Sequence, residues 1–283
     1  MFSIAKRSLT QIDAFTLGTI RYALGVAMFA ALLAVIEGRE GFRYGRRFWP
    51  AVGFGVVGIT GFNTLVWYGL NFTPPEHAAI LMALQTPMTA LAVWLTRGAR
   101  PAGFTILCVS VAITGVLLVV TRGDPVQAWG EGMRGGELYG DLLVFLGALA
   151  WVIYTLAGSR FLGWSSLKMS TLTCLPGAIG LLLANVWAVS TGFVPAPTVD
   201  AALSVWWQLL YFSVGSVVLG VLGFNAGVKH LGALNAMLML NLIPVTVFFI
   251  EAGMGRSFHS AELAGAAVVV VALVANNLYL RRR

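Results

Sequence analysis

GITGFNTLVWYGLNFTPPEHAAILMALQTPMTAL (residues 58–91) and GVLGFNAGVKHLGALNAMLMLNLIPVTVF (residues 220–248) decide how this chain is read. Each stretch has an apolar segment interrupted by Gly-Phe-Asn, at 61–63 and at 223–225. Each then has a short break and a second apolar segment holding one proline, Pro87 or Pro244. The same order of features in both halves marks an internal repeat. Internal repeats of apolar segments are a recurrent plan of membrane carriers, with the cargo site between the halves.

Composition agrees with a lipid environment. The 283 residues are 58% hydrophobic and only 10% charged, with a mean hydropathy of +0.85. Soluble domains carry about 25% charged residues, and a globule this apolar has too little polar surface to cover itself. Residues 1–13 are too polar for a secretory signal and lack its cleavage site. Cys108 and Cys174 both lie in apolar runs and read as small packing residues. The formal charge of +7 sits in short loops, not on one basic face, so no nucleic-acid partner is expected.

Apolar runs long enough to cross a ~30 Å hydrocarbon core as helices fall near 13–36, 50–71, 76–96, 102–121, 138–158, 168–190, 203–229, 233–254 and 261–281. The Gly-rich connector 122–137 divides a first repeat, 1–121, from a second, 138–283. Basic residues orient the spans. With Arg39, Arg43, Arg46 and Arg47 in the cytoplasm, twelve Lys and Arg fall on that side, including Arg281–Arg283, and five on the other, among them Lys6, Arg122 and Arg256. The C-terminus is then cytoplasmic, and Arg21 is left inside a span.

The repeat extends beyond the opening stretches. AKRSLTQIDAFTLGTIRYALG (5–25) lies over AGSRFLGWSSLKMSTLTCLPG (157–177), and each half closes on a Gly, Val and Ala-rich span, 102–121 or 261–281. Five spans per repeat is an odd number, so the second copy enters the membrane inverted. The loops agree: 37–48 carries four arginines, whereas 190–202 carries neither Lys nor Arg. The partner of span 138–158 belongs ahead of residue 5, where only MFSI stands. The expected architecture is therefore all-α and polytopic, two inverted five-helix repeats, with the first of ten helices truncated or missing.

These features resemble the drug/metabolite transporter superfamily, specifically its EamA-type ten-span members. The carrying segments are TLGTIRYALGVAMFAALL (16–33), ALQTPMTAL (83–91), GDLLVFLGALAWVIYTL (140–156) and LNLIPVTVF (240–248). The resemblance covers essentially the whole chain and implies a secondary transporter in a bacterial cytoplasmic (inner) membrane, with a small-molecule substrate. Two departures stand out. The first family helix is absent, and the acidic residue that often follows the fourth and ninth family helices appears as Arg97 and Arg256.

A carrier requires a mid-membrane cavity and helices that bend, so polar residues within spans are the candidates. Asn63 and Asn225 either tie helices together or face the cavity, and Gly61 and Gly223 beside them permit close packing or bending. Trp67 and Tyr68 read equally as interfacial anchors or as cavity wall. Trp151 and Tyr154 are deeper, three residues apart on one helical face, and suit an apolar, aromatic or ammonium-bearing cargo. Gln85 and Asn241 flank Pro87 and Pro244, which kink their spans by removing a backbone bond. Glu76 and His77 open a helix after Pro74-Pro75, either as an ordinary first turn or as a gate or proton-linked pair. Glu251, past Pro244, reaches the outer interface or faces the cavity as a coupling group. Arg21 requires an ion-pair partner or a carbonyl clamp.

The leading function is export of neutral or aromatic amino acids or other small metabolites by alternating access, with possible proton coupling. A drug or other metabolite carrier of the same fold is the alternative; a channel or an intramembrane enzyme is a different class. The sequence has no HExxH, GxSxG or GxxxxGK[ST] run, so no catalytic residue, metal or cofactor is expected. Oligomeric state is not legible.

Overall fold

A computed structural model describes residues 1–98, 102–124, 136–161, 163–233, 236–237, 240 and 242–281. The main helices are α1 (Phe2–Ser8), α2 (Ala14–Ile36), α3 (Phe48–Gly55, Val56–Gly61 and Phe62–Gly69 in succession), α4 (Pro75–Ala83 and Gln85–Arg97), α5 (Gly103–Thr121), α6 (Glu137–Ala157), α7 (Ser166–Ser190), α8 (Trp206–Leu210, Tyr211–Val221 and Leu222–Leu231), α9 (Leu242–Gly253) and α10 (Ser260–Arg281). Seven of the described helices are long and apolar enough to cross a membrane, and Ile243–Gly253 and Ser260–Asn276 are shorter apolar helices. The seven-residue α1 packs against α4 and α9. Most of the connector 122–137 lies outside the described residues.

Local chemistry sets the helix ends. Asp13 caps α2 by accepting from the Phe15 and Thr16 amides, both at 2.9 Å, and Ser165 caps α7 through the Lys168 amide at 2.9 Å. Such caps satisfy amides that have no partner within the helix. Large apolar side chains such as Val35, Leu95, Phe249 and Val271 point outward, whereas Arg21, Glu76, His77 and Glu262 are buried. Outward apolar groups and inward charges suit a bilayer, where the solvent itself is apolar.

The helices pair as two related halves would. α2 packs along α7, α4 against α9 and α5 against α10, each helix with its counterpart. The cross-contacts match too. A Cβ on Gly25 of α2 would run into Val217 of α8, and one on Gly177 of α7 would run into Ile59 of α3. α5 and α10 meet backbone to backbone. A Cβ on Gly115 would stand 2.8 Å from the Gly265 carbonyl, and one on Gly265 would stand 2.6 Å from the Gly115 carbonyl. Small residues let backbones approach this closely where hydrophobicity no longer drives association.

Loops alternate between two ends. At one end Lys168 Nζ donates to the Glu40 carbonyl at 3.3 Å, Lys229 Nζ to the Trp164 carbonyl at 3.1 Å, and Ser165 to the Glu37 carboxylate. This is the arginine-rich end. At the opposite end Lys6 Nζ donates to the carbonyls of Leu70, Asn71 and Thr73, joining α1 to the α3–α4 turn.

Candidate functional site

The two Gly-Phe-Asn motifs converge on one side chain. The ring of Trp151 in α6 lies 5.0 Å from Phe62 of α3 and 5.3 Å from Phe224 of α8, centroid to centroid, and 5.2 Å from Tyr154. Immediately before each motif the helix widens to π geometry, over Val56–Gly61 and Tyr211–Val221. Widened turns interrupt the regular bond ladder and occur often at functional sites. Gly61 and Gly223 are not close-packing positions: a Cβ on Gly61 would make only ordinary contacts at 3.7 Å and beyond, and one on Gly223 would meet nothing within 4 Å. The tight positions lie nearby, at Gly58 against Tyr154 and at Gly180 against Thr60.

Each asparagine joins its helix to the neighbouring one. Asn225 Nδ2 donates to Tyr154 Oη and to Ser170 Oγ of α7, both at 2.9 Å. Tyr154 Oη lies 3.0 Å from Thr173 Oγ1. Asn63 Nδ2 donates to the Ile59 carbonyl at 2.6 Å, and its Oδ1 accepts from Arg21 of α2. Among the described residues Arg21 therefore has neither the ion pair nor the carbonyl clamp expected for it. Its guanidinium rests 3.7 Å above the Trp67 ring, a cation–π contact that gains strength away from water, while its Nε and Nη1 have no hydrogen-bond partner among those residues.

The remaining candidates occupy varied settings. Trp67 is fully buried, edge-on to Phe212 at 5.0 Å, and so is not an interfacial anchor. Tyr68 is half-buried, 5.8 Å from the Phe15 ring and 5.3 Å from Phe193. Gln85 is buried with Nε2 3.3 Å from Met82 Sδ. Asn241 lies outside the described residues. α4 breaks at Leu84, whose amide bonds to the Leu81 carbonyl at 3.2 Å; Pro87 cannot accommodate the carbonyl four residues back, and the helix restarts. The residue ahead of α9, Asn241, lies outside the described residues, so the expected kink at Pro244 falls at the edge of what is described. Pro244 is the third residue of α9, in a first turn where its missing N–H costs nothing. Pro87 is likewise third in Gln85–Arg97.

Glu76, His77 and Glu251 belong to a second centre, at the end opposite the arginine-rich loop. Arg256 pairs with Glu76. His77 Nδ1 is 3.4 Å from Asp141 Oδ2, and its Nε2 is 3.9 Å from Glu262 Oε1. Glu262 also faces Arg122 at 3.4 Å and Arg256 at 3.8 Å, and Thr73 donates to Asp141. Arg122 holds a left-handed backbone, φ +51°, uncommon for a residue with a side chain. Above this network a cavity of about 430 Å³ is lined by residues including Lys6, Arg7, Thr73, Arg122, Glu251 and Arg256. Sequence reasoning missed Asp141, Glu262 and the role of both arginines. The available signal was an acid one turn into each of two apolar runs.

Apolar helices that turn their charges inward, with two related halves meeting at an aromatic and amide cluster, define a polytopic membrane transporter. The EamA-like transporter family matches residues 1–121 and 138–278, and the chain belongs to that family, within the drug/metabolite transporter superfamily. It is 29% identical over 286 residues to the Bacillus subtilis "Uncharacterized transporter YrdR", covering 100% of this chain and 88% of the relative. It is 27% identical to "Uncharacterized transporter YyaM" of the same organism, over 96% of this chain and 87% of the relative. A solved crystal structure shares the fold at TM-score 0.71, with 20% identity over 99% of this chain and 93% of its own.

Proposed function

We propose that the protein is a secondary carrier that exports small metabolites, foremost neutral or aromatic amino acids, across a bacterial cytoplasmic membrane. The observation that carries this reading is Trp151 held between Phe62 and Phe224, one from each repeat. A flat aromatic wall at the junction of the halves suits an indole or phenyl ring, with about 0.5–1.5 kcal/mol per aromatic contact beyond burial. Asn225, Tyr154, Ser170 and Thr173 supply neutral hydrogen-bonding groups one turn away. Residues 1–121 and 138–283 act as two inverted repeats joined by 122–137, and the charge bias of the loops supports a cytoplasmic C-terminus. The widened turns and the break at Leu84 supply the places where α3, α8 and α4 bend, while α5 and α10 stay together.

The test is ligand-induced thermal stabilisation of purified protein with L-tryptophan, L-phenylalanine, L-threonine and apolar amines. Aromatic amino acids should raise the apparent Tm, and Trp151→Ala should abolish that rise. Equal stabilisation of Trp151→Ala across the panel removes Trp151 from the cargo site.

A further inference from the structure

His77 has no exposed surface, yet both of its ring nitrogens face carboxylates, Asp141 of α6 and Glu262 of α10. An ionised carboxylate only accepts hydrogen bonds, and a neutral imidazole has one donor and one lone pair. With both carboxylates ionised, a neutral His77 would set that lone pair against carboxylate oxygen. One further proton removes the conflict. The surrounding charges agree. Among the described residues, five carboxylates face His77 or the cavity above it, Glu76, Glu137, Asp141, Glu251 and Glu262, against four basic side chains, Lys6, Arg7, Arg122 and Arg256. A proton on His77 makes the two sets equal. His259 is exposed and meets Glu262 through its backbone amide at 2.7 Å.

We propose that His77 is the proton-binding site of this transporter, and that its proton locks this end of the bundle closed. This rests on the carrier reading and names its coupled ion. Charged His77 ties α4 to α6 through Asp141 and to α10 through Glu262. Two routes of one residue each lead to the cavity wall, Thr73–Asp141–His77 and Arg122–Glu262–His77. The proton passes from an imidazolium N–H to a carboxylate oxygen of Asp141 or Glu262, and from there to water in the cavity. Neutral imidazole remains, and the reverse path reloads it. Once the proton is gone, two carboxylates lose their shared cation, and α6 and α10 separate from α4.

The test requires no cargo. Spin labels at Leu142→Cys and Leu263→Cys, both exposed positions beside Asp141 and Glu262, go into full-length protein with Cys108→Ala and Cys174→Ala. Distances are measured by pulsed electron resonance in nanodiscs from about pH 5 to about pH 10, a range that brackets histidine titration on both sides. The expected result is a single short distance at low pH and a longer population at high pH. Their ratio should change by up to about tenfold per pH unit through the transition, as one-proton linkage requires. His77→Gln should show the longer population at every pH. Glu262→Gln removes a carboxylate that favours the charged ring, and should move the transition to lower pH. A wild-type distance that does not change with pH overturns the proposal, as does a transition that persists in His77→Gln. Should His77→Gln fail to fold, the wild-type titration and the direction of the Glu262→Gln shift still decide. Failure of amino-acid export leaves this readout untouched, so the two ideas fail separately.

Discussion

Gly265→Ala should loosen the close joint between α5 and α10. A methyl at 265 would stand 2.6 Å from the Gly115 carbonyl oxygen, 2.8 Å from Val119 Cγ2 and 2.9 Å from Leu118 Cβ, where ordinary Cβ contacts begin near 3.4 Å. The first obstacle is backbone and cannot rotate aside, so α5 and α10 must move apart along their crossing. Overpacking of this kind costs roughly 1–3 kcal/mol, a fall in apparent Tm of roughly 2–10 °C for a chain of this size. Gly115→Ala meets the Gly265 carbonyl at 2.8 Å and Val269 Cγ2 at 2.8 Å and should cost a similar amount. The double variant should cost less than the two added, because one separation admits both methyls. The control is Gly223→Ala, where a Cβ meets nothing within 4 Å and the helix gains about 1 kcal/mol of propensity. Intrinsic-fluorescence melting in detergent reads all four proteins. The reasoning fails if Gly265→Ala melts with wild type, or if Gly223→Ala loses as much.

Four further substitutions probe the centre. Asn63→Ala takes away the one hydrogen bond of the buried Arg21 guanidinium among the described residues, and should destabilise by about 1.5–3 kcal/mol, measured by the same melting; a neutral result would mean that the Trp67 face alone holds the charge. Tyr154→Phe deletes the hydroxyl shared by Asn225 and Thr173 and should cost about 1–2 kcal/mol, with Asn225→Ala adding less in that background than alone. Pro87→Ala permits a continuous α4 across Leu84 and should slow transport more than it lowers folded yield; equal loss of both would count against a bending role.

Much of the architecture was legible because a bilayer makes helices announce themselves. Seven of the long apolar runs became helices long and apolar enough to cross a membrane, and the Arg-rich 37–48 loop sorted to one end with Ser165, Lys168 and Lys229. The paired Gly-Phe-Asn motifs did mark the meeting point of the halves. Phe62 and Phe224 in apolar runs carry no signal of their own, and only the packed structure brings both to Trp151. The close contacts at Gly58, Gly115 and Gly265 were hidden for the same reason: glycine is common in membrane helices, and tertiary proximity decides which ones touch. The network around His77 was half visible. Glu76 and His77 drew notice at a helix start, but Asp141 looked like part of a span, and Arg122 and Arg256 looked like loop bases serving topology. Nothing local links residues that meet only when α4, α6 and α10 pack together.

The central claim, that this transporter works as a carrier by alternating access, is tested most directly by counterflow in proteoliposomes loaded with unlabelled L-tryptophan and given a trace of labelled L-tryptophan outside. The account predicts transient accumulation of label above equilibrium that depends on the unlabelled pool, and its loss in Trp151→Ala. Ohmic current with no trans-acceleration would contradict it.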